Sequence, residues 1–417
     1  MRKVCVQKSL LLLACLAALA SVNAGRANGR WGRREMTRLY SVSVRDAKTG
    51  VRKTGFMDKA GKLVIPADRL PARTVVVGEF HEGRAVIYVK KEGVAQPAWP
   101  TDYRAGYIDE TGRVVVAPRY HAAADFSEGL ASVDSDEFEG FIDRDGRHVF
   151  RADYSAKGFH EGLAAAAERG RSVDGWGYID RAGRRVIEGP YHFADDFSEG
   201  LAGVAIDNKY GFINRRGEVV VQPRFDLRKE GRHPRYTVSS GRFSEGLACV
   251  ALGGLYGYID KSGEFVIPPQ FAVAQDFSEG LAWAVSRDGR TKGWIDQRGR
   301  WAVTAVRGKG LSFSLSWLSY SQERREWKFS EGLAPFLIYD GERVLHGYVN
   351  RSGVVVIEPI ESTDIGPFVG GLARITYYEQ SDAKPGTASG YVDKAGRFIE
   401  EKYGYIDRAG RFVWRAK

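Results

Sequence analysis

The stretch Gly257-Tyr258-Ile259-Asp260-Lys261-Ser262-Gly263 recurs along the chain with small changes. Each copy begins with a glycine and an aromatic residue, continues with an aliphatic residue or methionine and then Asp or Asn, and carries another glycine three positions later. The opening glycines are residues 55, 106, 140, 177, 211, 257, 293, 347, 390 and 404. A second phrase, Phe-Ser-Glu-Gly-Leu-Ala, precedes most copies, with its phenylalanine at positions such as 126, 197, 243, 277 and 329. Self-similarity of this kind indicates a repeat architecture.

Each repeat is predicted to contain three short β-strands. The first follows the Glu-Gly turn, as in residues 281–285, the second contains the opening glycine, and the third is a β-branched run before a proline, as in residues 265–268. An Asp at the first position of a type I turn accepts backbone N–H groups, and the glycine supplies a positive φ. The residues assigned to this structural turn are Asp109, Gly112, Asp180, Gly183, Asp260, Gly263, Asp296 and Gly299.

The chain is predicted to be an all-β array of nine three-stranded units over residues 37–417. These units are built around the opening glycines from Gly55 to Gly390, and the copy at Gly404 is interpreted as a terminal hairpin cap over 404–417. An open, solenoid-like stack is the first choice, because units of uneven length and about 34 residues fit four-stranded propeller blades poorly. A closed or partly closed propeller-like ring is the alternative.

Together, the Gly-aromatic-Ile-Asp-x-x-Gly motif and the Phe-Ser-Glu-Gly-Leu-Ala phrase resemble the bacterial WG-repeat family, also called KWG repeats. The resemblance covers about residues 40–417, although an aromatic residue precedes the glycine in only some copies, such as Trp176-Gly177 and Tyr256-Gly257. It implies an all-β repeat array in bacterial proteins that are often exported and usually have no assigned activity. It carries over no catalytic residues.

Residues 1–24 have the pattern of a cleaved signal peptide. A basic start is followed by an apolar run from Ser9 to Val22 and a small-residue cleavage site ending at Ala24. The alternative is lipoprotein processing at Cys15. Residues 25–36 form a basic leader without periodicity, which is predicted to be flexible. The sequence therefore predicts a periplasmic or extracellular protein without a transmembrane span.

Searches for catalytic and metal-binding patterns find no phosphate-binding loop, no His-Glu-x-x-His and no Gly-x-Ser-x-Gly. After cleavage only Cys249 remains, and its position among apolar residues predicts a buried core side chain. The Glu of the Glu-Gly turn recurs at the same place in most units, which favours a structural role over paired catalytic carboxylates. We therefore expect no enzyme activity, no cofactor and no metal site.

The insertions that break the repeat, at 90–105, 226–242, 305–328 and 379–389, are the candidate binding regions. The 226–242 insertion is basic with one aromatic residue, and an acidic partner, anionic glycan or lipid headgroup would suit it. Residues 311–317 alternate apolar and polar side chains, which predicts an extra strand. The candidate partner-binding residues are Arg228, Lys229, Arg232, Arg235, Tyr236, Trp317, Tyr320 and Trp327.

The sequence supports two hypotheses of function. The first is an exported, non-enzymatic interaction scaffold that binds a protein partner through its insertions. The alternative is a carbohydrate- or cell-wall-binding module that uses the basic loops and outward-facing repeat aromatics, which would stack on sugar rings. A nucleic-acid partner is not expected, since no known nucleic-acid-binding motif is present. The direction of the repeat aromatics separates the two hypotheses.

Overall fold

The computed structural model describes residues 38–45, 52–93, 102–152, 154–168, 175–227, 229–230, 235–236, 241–308, 311–314, 327–340, 343–362, 364–380, 390–392 and 398–416. The fold is all-β, and every strand pairing in the described part is antiparallel. One 3-10 helix (Ala67–Arg69) is present. Within these residues, no helix has the length and apolar character needed to span a membrane.

The strands form a series of small sheets that follow one another along the chain. Sheet A contains β1 (Tyr40–Arg45), β2 (Arg52–Met57) and β3 (Leu63–Ile65). Sheet B contains β4 (Thr74–Val77), β5 (Arg84–Lys90), β6 (Tyr103–Asp109) and β7 (Val114–Tyr120). Sheet C contains β8 (Ala122–Ala123), β9 (Leu130–Asp134), β10 (Glu139–Asp143) and β11 (His148–Arg151). Sheet D contains β12 (Tyr154–Ala156), β13 (Leu163–Glu168), β14 (Trp176–Asp180) and β15 (Arg185–Tyr191).

The later sheets continue the series and are less uniform. Sheet E contains β16 (Phe193–Ala194), β17 (Leu201–Ile206), β18 (Lys209–Asn214) and β19 (Val219–Asp226), and β20 (Lys229–Glu230) pairs only with β21 (Arg235–Tyr236). Sheet F has seven strands: β22 (Phe243–Ser244), β23 (Leu247–Leu252), β24 (Leu255–Ile259), β25 (Phe265–Ala274), β26 (Leu281–Ser286), β27 (Lys292–Asp296) and β28 (Trp301–Val303). The pair β29 (Ala305–Gly308) and β30 (Leu311–Ser314) follows. Sheet G contains β31 (Leu333–Asp340), β32 (Arg343–Asn350) and β33 (Val355–Glu361). Sheet H contains β34 (Asp364–Ile365), β35 (Leu372–Gln380), β36 (Gly390–Val392), β37 (Phe398–Asp407) and β38 (Phe412–Arg415).

Most sheets gain a short strand beyond the three predicted per unit. In sheet C this strand is β8, which pairs with the far end of β9 through Ala122–Asp134 and Ala123–Val133. The Phe-Ser-Glu-Gly phrase forms the tight turn between the two strands, and Ser127 and Leu130 exchange both backbone hydrogen bonds. In the sheets that have the short strand, this turn joins it to the next strand.

The glycine at position 404, and not the one at 390, occupies the central strand of the last sheet. Gly404 pairs with Ile375, as Gly257 pairs with Val250 in sheet F. Strand β37 pairs with both β35 and β38, so residues 404–415 belong to the body of sheet H instead of forming a separate hairpin. Gly390 lies in β36, which pairs only with the beginning of β37.

The core lies between neighbouring sheets. Between sheets D and E, for example, Tyr178 and Tyr191 pack against Phe197 and Ile213. Such contacts also join the first sheet to the last one. The Tyr40 hydroxyl donates to the carbonyls of Val369 (2.8 Å) and Gly370 (2.9 Å), and the rings of Tyr40 and Tyr405 are 5.4 Å apart. Sheets A and H therefore share a buried cluster.

Candidate functional site

Among the described side chains, the aromatic residues that follow the opening glycines point into the spaces between repeat units. Tyr178 in sheet D donates its hydroxyl to the Asp195 carbonyl of sheet E at 2.6 Å. Burial raises the pKa of Tyr178 well above its usual value, so the hydroxyl keeps its proton and remains a donor. The rings at this position are at most 5% exposed, namely Phe56, Tyr107, Phe141, Tyr178, Phe212, Tyr258, Trp294, Tyr348 and Tyr405. These rings are therefore not available to stack on a sugar.

The repeated Glu side chains connect one repeat unit to the next. Glu279 has a φ of 53°, and its Oε2 accepts the backbone N–H of Gly332 at 2.9 Å. The same bond joins Glu82 to Gly129, Glu128 to Gly162, Glu161 to Gly200, Glu199 to Gly246, Glu245 to Gly280 and Glu331 to Gly371, at 2.7–3.1 Å. In the described part of the chain, these carboxylates thus form a ladder along the array. Their use as backbone acceptors explains why the residue recurs.

The Asp-x-x-Gly turns have the geometry that their sequence predicts. Asp260 Oδ1 accepts the backbone N–H groups of Ser262 and Glu264 at 2.9 and 3.1 Å, and Gly263 has a φ of 88°. The Ser262 hydroxyl and these N–H groups lower the pKa of Asp260. The same pattern holds at Asp109, Asp180 and Asp296, and Gly112, Gly183 and Gly299 have φ values of 83°, 78° and 75°.

The candidate partner-binding residues do not come together in one described place. The backbone of Lys229 pairs with Tyr236 and that of Glu230 with Arg235, so the 226–242 insertion carries a short hairpin outside the main sheets. Trp327 is 2% exposed; its carbonyl accepts the indole N–H of Trp294 at 2.6 Å, so it is a core residue. Arg228, Arg232, Trp317 and Tyr320 lie outside the described residues. Of the strand predicted over 311–317, residues 311–314 form β30.

A charged cluster joins sheets D and E to the start of sheet F. Asp195 Oδ2 accepts the Tyr210 hydroxyl at 2.8 Å, and the Lys157 Nζ lies 3.9 Å from Asp195 Oδ1. The neighbouring Asp196 pairs with Arg242 and lies 3.5 Å from His160 Nε2. Burial raises the pKa of Asp195, although the Tyr210 hydroxyl and then Lys157 partly offset this effect.

The cluster is suited to ion pairing across sheets, because both carboxylates meet cations supplied by neighbouring sheets. No group of three or more His, Cys, Asp or Glu side chains suited to a metal ion occurs within the described ranges. Sequence reasoning missed this cluster. Its signal is the change of charge at the two positions before the repeated phenylalanine, which read Lys157-Gly158, Asp195-Asp196 and Gly241-Arg242 in successive units.

Comparison with known proteins supports the repeat assignment. A family model described as WG containing repeat matches residues 106–136, 176–210, 210–227, 256–288 and 347–377. No curated protein matches the chain.

Solved structures resemble the chain only distantly. Hsv2 from Kluyveromyces lactis with its complete loop 6CD has 10% identity and a TM-score of 0.32, covering 77% of this chain and 94% of that chain. AztD from Citrobacter koseri in its apo form has 9% identity and a TM-score of 0.35, covering 78% and 93%. A eukaryotic initiation factor has 9% identity and a TM-score of 0.36, covering 91% and 86%. Scores this low assign neither a detailed fold nor a function.

Proposed function

The chain belongs to the family of proteins with WG-containing repeats, and we propose that it is an exported, non-enzymatic scaffold that binds an acidic protein partner. The observation that carries this proposal is that the repeats use their polar groups for contacts within the array, whereas the 226–242 insertion does not belong to the main sheets. The polar groups of the repeat, such as the Glu279 carboxylate and the Tyr178 hydroxyl, are used between sheets. The 226–242 insertion forms a hairpin that pairs only with itself in the described part of the chain, and its sequence is basic.

Electrostatic complementarity is the expected basis of this interaction. The insertion contains five basic residues and two acidic ones, Asp226 and Glu230; the basic residues are Arg228, Lys229, Arg232, Arg235 and Arg242. A cationic loop speeds encounter with an acidic surface and gives binding that weakens as salt increases. The sugar-binding alternative loses its main support, because the described repeat aromatics are buried.

The test is a crosslinking pull-down from envelope extract, with purified cell-wall sacculi included as a competing target. The mature chain is compared with a Lys229→Glu, Arg235→Glu variant and with an Arg290→Glu, Arg298→Glu control that reverses two charges elsewhere. We expect a specific acidic protein to be captured by the wild type and the control, and to be lost with the hairpin variant and at high salt. Equal capture by all three chains, or retention by sacculi alone, would refute the proposal.

We also propose that the array is closed, with nine units centred on Gly55, Gly106, Gly140, Gly177, Gly211, Gly257, Gly293, Gly347 and Gly404. The contact of sheet A with sheet H supports closure because one of its hydrogen bonds matches an internal one. The Tyr405 hydroxyl donates to the Ser41 carbonyl at 3.1 Å, as the Tyr178 hydroxyl donates to the Asp195 carbonyl at 2.6 Å. These bonds support an array in which the first unit lies next to the last one.

Export is proposed from residues 1–24, which lie outside the described residues. Amino-terminal sequencing of the protein from cells tests it. We expect the mature chain to begin at Gly25, whereas a lipid-modified Cys15 at the amino terminus would support anchoring instead.

A further inference from the structure

The contact between the first and last units uses a residue that no other unit carries at its position. Tyr40 pairs with Met57, two positions after the opening Gly55. In each of the other eight units, the residue that makes the corresponding pair is a buried alanine, namely Ala85, Ala131, Ala164, Ala202, Ala248, Ala282, Ala334 and Ala373. Tyr40 is also buried, against Leu372 and Tyr405 of sheet H. The first unit therefore presents a tyrosine side chain where the other units present a methyl group.

The turn that meets Tyr40 lacks the polar side chains that internal contacts use. In the unit before it, the Ser330 hydroxyl donates to a backbone carbonyl of the next unit at 2.5 Å, and the Glu331 carboxylate accepts a backbone N–H of that unit at 2.9 Å. The last unit has Val369 and Gly370 at the positions of this Ser and Glu. Neither of these residues has a side chain that can form such a bond.

Tyr40 supplies a connection to this turn from the other side of the contact. Its hydroxyl donates to the carbonyls of Val369 and Gly370 at 2.8 and 2.9 Å, so its bonds reach the same two residues. Gly370 also leaves the space that the hydroxyl occupies. A Cβ at position 370 would lie 2.5 Å from the Tyr40 Oη, which is closer than non-bonded atoms approach. Tyr40 and Gly370 are therefore complementary both in size and in hydrogen bonding.

We propose that the Val369-Gly370 turn is a recognition surface for the first unit of the same chain, and that Tyr40 is the residue it selects. Seven other units have Glu at the position of Gly370, and a side chain there would collide with Tyr40, so the first unit fits the last unit and not the others. A unit with alanine at the position of Tyr40 would leave a space in place of the ring. Because the repeats are otherwise alike, this pair sets which units meet when the array closes. This inference rests on the proposed closed array and names the residues that select its closing contact.

Hydrogen exchange of the amides of β1 and β2 in the mature chain, followed by mass spectrometry, measures how often the first unit detaches. A single repeat unit depends on its neighbours for stability, so its amides exchange when the contact opens. Gly370→Glu should speed this exchange at least tenfold, and Tyr40→Ala should speed it as well. The matched control is Gly253→Glu, at the first glycine of another Gly-Gly pair. Its φ is 62°, compared with 65° at Gly370, and no atom of the described residues lies within 4 Å of an added Cβ. It should leave the exchange of β1 and β2 unchanged.

The two substitutions combined give the sharpest test, because together they recreate the alanine and glutamate of the internal units. In the Gly370→Glu background, Tyr40→Ala should slow the exchange at least threefold, although it speeds exchange in the wild type. Additive effects of the two substitutions, or exchange that Gly370→Glu leaves unchanged, would overturn the proposal.

A milder pair of variants covers the case in which Gly370→Glu fails to fold. The methyl group of Gly370→Ala would lie 2.5 Å from the Tyr40 Oη but 3.7 Å from its Cζ, so it collides with the hydroxyl and not with the ring. Gly370→Ala should therefore speed exchange at least threefold more in the wild type than in Tyr40→Phe. Equal effects in the two backgrounds would contradict the proposed recognition.

Fluorescence transfer between one label on the first unit and one on the last separates failure of this inference from failure of the closed array. High transfer in the wild type, with exchange that does not respond to Gly370→Glu, would leave the closed array in place and refute the recognition by Val369 and Gly370. Absence of transfer in the wild type would refute both. Transfer only between labels on two different chains would identify a second copy as the occupant of the turn and refute the contact within one chain. The scaffold proposal is tested separately, by protein capture through the 226–242 hairpin.

Discussion

The Glu-Gly turn places an acidic residue in a backbone conformation that usually favours glycine. Glu82, Glu128, Glu161, Glu199, Glu245, Glu279 and Glu331 all have φ values between 51° and 55°. A non-glycine residue in the left-handed region is disfavoured by roughly 1–2 kcal/mol. The carboxylate hydrogen bond to the next unit offsets this strain, since bonds to charged groups contribute about 1.5–3 kcal/mol. The residue is thus selected by a contact made across the array.

This balance predicts an unusual order of stability among substitutions at Glu279. Glu279→Ala removes the bond to Gly332 and keeps the strain, so we expect a loss of about 2 kcal/mol. Glu279→Gly also removes the bond but relieves the strain, and it should be more stable than the alanine variant by about 1 kcal/mol. Urea unfolding measures both values. Glu264→Ala, at an exposed turn position, is the control and should change stability by less than about 0.5 kcal/mol. An alanine variant as stable as the glycine variant would contradict this account.

The raised pKa of Asp195 predicts a specific dependence of stability on pH. Burial raises this pKa above the unfolded value of about 3.9, so the folded chain binds more protons between the two values. The stabilising contribution of this group is complete below about pH 3.9 and is lost as pH rises through the folded pKa. Asp195→Asn removes the titration while keeping an acceptor for Tyr210. The stability of the wild type relative to this variant should therefore fall as pH rises above about 4.

Urea unfolding of both chains from about pH 2 to 7 tests this expectation. The turn residue Asp260 works in the opposite direction, because its lowered pKa gives stability that is lost as pH falls below about 3.9. Asp260→Asn is therefore an informative control, since its difference from the wild type should vanish toward low pH. A stability difference between the wild type and Asp195→Asn that does not change with pH would refute the assignment.

The strands themselves were largely predictable, because their signals are local. The Gly-aromatic motif, the Asp-x-x-Gly turn and the β-branched run depend on neighbours within a few residues. The position of each copy within a sheet was not predictable. Gly390 and Gly404 carry the same motif, yet only Gly404 pairs with β35, the strand that follows the Gly370-Gly371 turn. That choice depends on pairing between distant residues, which the motif does not encode.

The candidate sites also depend on contacts between distant residues that the local sequence does not indicate. Trp327 lies beside an insertion and was assigned to partner binding, but its contacts with Trp283 and Trp294 make it part of the core. The Glu ladder was predicted as a structural turn, whereas its acceptor role toward the next sheet depends on a contact 53 residues away, as between Glu279 and Gly332.

Contacts between repeat units predict that the repeat hydroxyl adjusts stability without determining the fold. Tyr258 donates to the Gln275 carbonyl at 2.7 Å, but the chain itself uses phenylalanine at the equivalent positions 141 and 212. Tyr258→Phe should therefore cost about 1 kcal/mol. Tyr258→Ala should cost about 3–5 kcal/mol, because it leaves a cavity between two strands of the core. Urea unfolding gives both values, and a phenylalanine variant as unstable as the alanine variant would disagree with this interpretation.

An open stack and a closed array differ in whether the outer faces of the first and last units are exposed to water. In an open stack, each terminal unit would leave an apolar face in water, and long exposed sheet faces favour aggregation. In the described residues, Tyr40 and Val42 of sheet A share a buried cluster with Leu372 and Tyr405 of sheet H. The Tyr405 hydroxyl donates to the Ser41 carbonyl at 3.1 Å. These contacts favour the closed array that we propose.

Fluorescence transfer between the first and last units distinguishes the two arrangements. Labels on Lys59→Cys and Ala409→Cys, in a mature chain carrying Cys249→Ser, would be about one sheet spacing apart, ~10 Å, in the closed array. In a straight open stack, eight spacings would separate them by ~80 Å, and transfer would be nearly absent. A Lys261→Cys, Gln297→Cys pair marks two adjacent internal units and provides the reference efficiency. We expect the transfer efficiency of the Lys59→Cys, Ala409→Cys pair to match this reference. Closure would be wrong if the Lys59→Cys, Ala409→Cys pair showed transfer close to zero while the internal pair showed high transfer. The contacts of Tyr40 would then be absent in solution.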